Sequence, residues 1–199
     1  MDVVELKVTL EDVEPKVKRT LWVPLDIRLD HLHSALQAAL GWDNDHLYMF
    51  QVGQITWGEA DPEWGGDDLP ADKTTLVELR DDTGVRVFKY LYDFGDGWEH
   101  KIRIGKVVSA APGQLYPQVT SIEGRCPPED IGGPPGYAYY LEVMADKQHP
   151  EYDEMMEIHG ETFDPTDLEV DQIPERIKYF AEWLNKSKTK KSKPKIVKS

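Results

Sequence analysis

The 199-residue sequence has one cysteine, Cys126, and no long unbroken apolar run. A lone thiol excludes an internal disulfide and fits a reducing compartment, so the expected location is the cytoplasm. A membrane-spanning helix would need about 20 consecutive apolar residues, and none is present. The first residues, MDVVELKVTL, open with an acid and alternate, which reads as a strand rather than a leader.

Several chemical signatures are missing too. There is no P-loop, no G-x-G-x-x-G and no H-E-x-x-H, and the six histidines show no paired-ligand spacing. His31 and His33 on one helix would point in different directions, a poor chelate. Asp93-Phe94-Gly95 matches the kinase tripeptide but lacks the glycine-rich loop, strand lysine and H-R-D loop that kinases need. Cys126 precedes two prolines, with no signature tying it to a base. No catalytic residue, cofactor or metal set is therefore assigned.

Bases are scarce except at one end. The net charge is −14, yet the last fourteen residues, KSKTKKSKPKIVKS, hold seven lysines and no acid. Without them 16 bases face 37 acids, a body near −21. Such a body repels nucleic-acid phosphates unless its bases cluster. The expected organisation is a single domain over 1–185 and a disordered lysine-rich tail over 186–199, the tail being the weaker candidate for nucleic-acid contact.

What is present reads as an α+β domain. Residues 3–10 and 17–23 alternate and form a first hairpin. LDHLHSALQAALG carries leucines at helical spacing, Asp30 in the first turn and a terminal Gly41. HLYMFQVGQITWG reads as a hairpin about Gly53, and TTLVELRDD as a short helix capped by Thr74 or Thr75. The acidic stretch 58–73 reads as a surface loop without the spacing of a calcium loop. Three helices are expected at 137–146, 150–159 and 174–185, after a Gly/Pro-rich loop that excludes regular structure. Strands first and helices later point to an antiparallel-rich mixed sheet built from hairpins, with C-terminal helices packed on it.

The stretch YLYDFGDGWEHKIRI, residues 90–104, defines the main candidate site. A three-residue loop Gly95-Asp96-Gly97 would oppose Phe94 to Trp98, Tyr92 to His100 and Tyr90 to Ile102, with Gly97 left-handed. Asp93 would then face Glu99 on the reverse side, a like-charge pair suited to a cation or a basic residue. The binding candidates here are Asp93, Asp96, Trp98, Glu99 and His100. The second candidate is EDIGGPPGY: Glu129, Asp130, the amides of Gly132 and Gly133, and Tyr137, ahead of a helix N-terminus suited to an anion.

LDHLHSALQAALGWDNDHLYMF, YLYDFGDGWEHKIRIGKV, CPPEDIGGPPGYAYYLEVMADKQHPEYDEM and Phe163-Asp164-Pro165 together resemble the open-reading-frame-three proteins named after a root-inducing plasmid. Some relatives are passengers of insertion elements labelled as resolvases. The resemblance implies a single α+β domain, whose hairpin–helix–strand order suits a β-grasp-like arrangement, and implies little about activity. Two positions depart from the family's pattern: Lys18 replaces a tryptophan and Tyr48 a histidine. The resolvase label finds no support in a helix-turn-helix or a suitably placed serine. The expected function is a non-enzymatic protein- or peptide-binding module associated with mobile elements, its partner basic. The alternatives are a metal-dependent enzyme acting on nucleic acid through Asp93, Asp96, Glu99 and His100, or a DNA-binding accessory protein acting through the tail.

Overall fold

The computed structural model describes residues 1–59, 68–159, 163–165, 168 and 172–191. The strands are β1 (Asp2–Leu10), β2 (Val17–Pro24), β3 (Tyr48–Val52), β4 (Ile55–Gly58), β5 (Leu69–Pro70), β6 (Val87–Tyr92), β7 (Trp98–Ser109) and β8 (Gln118–Glu123). The helices are α1 (Leu29–Leu40), α2 (Leu76–Thr83), α3 (Gly133–Ala145), α4 (Tyr152–His159) and α5 (Gln172–Lys191). One sheet runs β5-β4-β3-β6-β7-β1-β2-β8, antiparallel except where β4 meets β5. The fold is therefore α+β with a mostly antiparallel mixed sheet.

Alternation decides which sheet face is covered. Leu6 stands opposite both Leu21 and Ile104, Val8 opposite Ile102, and Phe50 opposite Tyr90. These side chains are buried and form one cluster with Leu32 and Leu36 of α1, Leu79 of α2, Tyr140 of α3 and Ile177 of α5. At about 25 cal/mol per Å² of apolar surface, burying each of these large side chains contributes roughly 1.5–3 kcal/mol. The intervening residues Lys7, Lys89, Lys101 and Arg103 point the other way and are exposed.

The helix ends follow the expected chemistry. Gly41 closes α1 at φ 94°, its amide donating to the Gln37 carbonyl. Thr75 caps α2 in a reciprocal box with Glu78. Arg19, 2 % exposed, lies behind the sheet and donates to the carbonyls of Ala39, Lys18, Glu123 and Gly124, tying the end of α1 to β8.

β8 is a strand the sequence pattern does not announce, because as an edge strand it has one neighbour, little buried surface and no period-2 apolar alternation. Three local expectations are corrected. α3 starts at Gly133, inside the Gly/Pro loop, because Pro134 and Pro135 occupy its first turn, where a missing N–H costs nothing. Pro150 precedes α4, which begins at Tyr152. The backbone of α5 continues to Lys191, so the first six residues of the expected tail are helical. Residues 60–67 of the acidic stretch and 192–199 of the tail lie outside the described residues. No helix among the described residues is long and apolar enough to cross a membrane.

Candidate functional site

The hairpin between β6 and β7 keeps the predicted faces but shifts by two residues. Tyr92 stands opposite Trp98, Tyr90 opposite His100 and Phe88 opposite Ile102. The loop is therefore five residues, Asp93 to Gly97, rather than three. The reason is Asp93. Its backbone is left-handed at φ 55°, and its Oδ1 accepts from the amides of Gly95 (2.9 Å) and Asp96 (3.3 Å). Its carbonyl accepts from Gly97, left-handed as expected at φ 71°. An Asp side chain that satisfies its own turn competes with the ladder and ends pairing at Tyr92.

The shift separates the first candidate set. Asp93 does not face Glu99, which stands opposite Leu91 and pairs with Lys89 at 2.8 Å on the open face. Trp98 and His100 are fully buried in the core, and Phe94 is 49 % exposed at the tip. His100 donates from Nδ1 to the carbonyls of Trp98 and Tyr90, and burial lowers its pKa to about 4. It is a neutral core residue, and Asp93, Asp96, Glu99 and His100 do not converge. Tyr137 is also buried, packed edge-on against Phe163.

The two candidate loops nevertheless meet. Asp96 Oδ2 accepts from the Gly132 amide at 3.2 Å, at the N-cap of α3. The helix N-terminus expected to take an anion is thus occupied by the protein's own carboxylate. Gly133 lies flat against the hairpin, where a Cβ would come within 2.1 Å of the Asp96 carbonyl oxygen. Only glycine permits that approach at φ 68°.

A third loop, residues 41–47, completes a crown. Trp42 stacks on Tyr92 (5.1 Å between centroids) and donates from Nε1 to the Pro127 carbonyl at 2.9 Å. Tyr92 donates to Glu129 Oε1 at 2.5 Å, and Glu129 Oε2 accepts from the Asp43 amide at 2.8 Å. Burial, then the Glu129 carboxylate, raises the Tyr92 pKa, so the phenol stays a donor. Glu129 is therefore a structural clasp between loops.

His46 is the residue that sequence reading missed. Its Nδ1 lies 3.7 Å from Asp93 Oδ2 and its Nε2 lies 3.2 Å from Asp130 Oδ1. One ligand atom from each of His46, Asp93 and Asp130 can be chosen so that all three lie within 4.8 Å of one another. Asp93 is nearly buried, whereas the Asp130 side chain is 76 % exposed. Asn44, Asp93 and Asp130 all hold left-handed backbones, at φ 69°, 55° and 57°. Such residues cluster where surrounding structure over-determines the chain. No spacing rule joins positions 46, 93 and 130; only the meeting of three loops does.

Beneath the crown a polar seam anchors it to α1. Tyr90 donates to His33 Nδ1 at 2.7 Å and accepts from Gln37 Nε2 at 2.9 Å. His33 donates from Nε2 to Asn44 Oδ1 and stacks on Tyr48 at 3.6 Å. Desolvation lowers the His33 pKa to about 4. Above the seam the crown shows solvent two large apolar side chains, Phe94 and Leu47 (57 % exposed), on adjacent strand ends joined by the Asp93 amide and the Leu47 carbonyl.

Comparison with known proteins agrees with the motifs. The chain is 43 % identical over 190 residues to the uncharacterized protein y4hQ of Sinorhizobium fredii, spanning 94 % of this chain and 97 % of the relative. It is similar in fold to the crystal structure of MM3350, a protein of unknown function from Methanosarcina mazei Go1. There the TM-score is 0.72 at 32 % identity, over 82 % of this chain and 93 % of the other. The family model described as plasmid pRiA4b ORF-3-like protein matches residues 2–172, and the chain belongs to that family.

Proposed function

We propose that the crown is a docking site for a basic segment of a partner protein, and that the chain acts as a non-enzymatic interaction module. The observation that carries this reading is the pairing of exposed Phe94 and Leu47 with the exposed carboxylate of Asp130 on one rigid three-loop surface, where the Asp43 carboxylate is already paired with Arg176 and Asp93 is nearly buried. An apolar anchor beside acidic groups suits a segment alternating aliphatic residues with lysine or arginine. Rigidity favours binding because little ordering cost remains to be met on association. The plasmid in the family's name fits service to a mobile element.

The test is a basic peptide array probed with the full chain at low salt, then repeated with Phe94→Ala and Asp130→Asn. Peptides captured by the native chain and lost by both variants support the reading. Capture that both variants leave unchanged would refute it.

A second reading has its own observation, the convergence of His46, Asp93 and Asp130. Such a set suits a divalent ion such as zinc or manganese. The ion would have to displace one contact, because His46 meets the two carboxylates through opposite ring nitrogens. Calorimetric titration with magnesium, manganese and zinc distinguishes the readings, since binding tighter than millimolar that is lost in Asp93→Asn would favour the metal.

A further inference from the structure

The acidic character of the chain is not uniform over the sheet. The open face of the central strands carries Lys7, Lys18, Lys89, Lys101, Arg103 and Lys106, with Glu5, Glu99 and Glu123 beside them. The ratio of bases to acids is inverted relative to the whole chain, where 37 acids outnumber 23 bases. The acids on the strands are also spoken for, although Glu11, just past the end of β1, lies beside Lys89, Glu99 and Lys101 and among the described residues forms no ion pair. Glu123 pairs with Lys18 at 2.9 Å, Glu99 with Lys89 at 2.8 Å, and Glu5 reaches Lys7 at 4.0 Å. Among the described residues no ion pair involves Lys101, Arg103 or Lys106.

The register makes this more than a solvated face. Lys89 stands directly opposite Lys101, and Lys7 directly opposite Arg103. Like charges in such pairs destabilise a sheet. Two adjacent pairs in one sheet therefore oppose stability, which suits selection for an external anion. Lys101 and Arg103 lie about 7 Å apart along β7, with Lys7 and Lys89 about 4.8 Å to either side. Trp22 shares the face, half-buried, with the Lys106 ammonium 5.5 Å from its ring centroid.

From this grid we infer that the open sheet face binds single-stranded nucleic acid, with Lys7, Lys101, Arg103 and Lys106 on phosphates and Trp22 as a stacking platform. A repeating polyanion matches several cations spaced a few ångströms apart, and an aromatic ring on a sheet is a sequence-tolerant base contact. A single strand is favoured over a duplex because, among the described residues, α1, α2, α3 and α5 pack into the core on the other face, leaving the strands of this face to meet the ligand rather than a helix suited to a groove. The surface lies on the opposite side of the sheet from the core that supports the crown, so it is independent of the docking reading.

The experiment is anisotropy of a fluorescein-labelled oligothymidylate with the full-length protein. Four phosphate contacts predict a salt slope near −2.8, or about 50-fold weaker binding between about 50 and 200 mM salt. Lys101→Glu/Arg103→Glu should weaken binding at least about 10-fold. Its melting temperature should be unchanged or raised, because an acid at 103 would face Lys7. A full-length variant with the lysines of 186–198 changed to glutamine separates the tail. Loss that follows the tail variant alone would overturn the inference. So would equal affinity for duplex DNA or for poly-glutamate, the latter marking a general anion surface.

Discussion

Acid should unfold this protein through two histidines. His33 and His100 are buried and neutral, each with a pKa lowered to about 4 by desolvation. In the unfolded chain a histidine titrates near 6.5. The folded value is the lower one, so between these values the unfolded state binds more protons. The stabilisation is complete above pH 6.5 and is lost as pH falls toward 4. Integrating the difference, each histidine costs about 2 kcal/mol at pH 5 relative to pH 7.5, and the pair about 4 kcal/mol. That is a large share of a stability of about 5–15 kcal/mol. Urea unfolding at pH 7.5, 6 and 5 should show the midpoint dropping steeply over this range with little change in slope. His100→Gln should roughly halve the pH dependence whatever its effect on stability at pH 7.5, and adding His33→Gln should remove most of the rest. Equal midpoints at pH 7.5 and 5, or an undiminished dependence in the double variant, would refute the assignment of neutral core histidines.

Three further outcomes follow from the packing. Gly133→Ala should lose about 1–2 kcal/mol from the left-handed backbone alone, and more from the encounter with the Asp96 carbonyl, read as a lowered melting temperature. Tyr92→Phe should cost about 1–3 kcal/mol, because Glu129 and the Asp45 amide both lose their partner, and amide exchange in the 41–47 loop should quicken. Leu36→Ala, at a fully buried position of α1, should cost about 2–5 kcal/mol in denaturant unfolding, whereas Phe94→Ala should leave stability nearly unchanged.

Much of the architecture was legible in local pattern. Val4, Leu6, Val8 and Leu10 alternate, and Leu29, Leu32, Leu36 and Leu40 recur at helical spacing, so period alone assigns strand, helix and buried face. Gly41, Gly97 and Thr75 punctuate those elements by chemistry that needs no partner. The aromatic face of the 88–104 hairpin was legible for the same reason, and the two-residue shift did not change it because side-chain period is two. The loop length was not legible. It depends on whether Asp93 spends its carboxylate on its own turn or leaves pairing to continue, two arrangements that composition does not separate.

The crown shows where local information ends. Sequence alone called for a glycine-bearing turn at 95–97 and a rigid Gly/Pro loop carrying Glu129 to Gly133, because Gly and Pro fix backbone geometry within a few residues. That the two loops touch, that Asp96 rather than an outside anion fills the N-terminus of α3, and that His46 stands between Asp93 and Asp130 came from long-range packing alone. The same holds for Trp98, His100 and Tyr137, aromatic or polar enough to suggest a site yet consumed by the core. Contacts between positions 46, 93 and 130 depend on how strands order themselves in the sheet. That ordering is set by the burial of a whole face at once, not by any short stretch of chain.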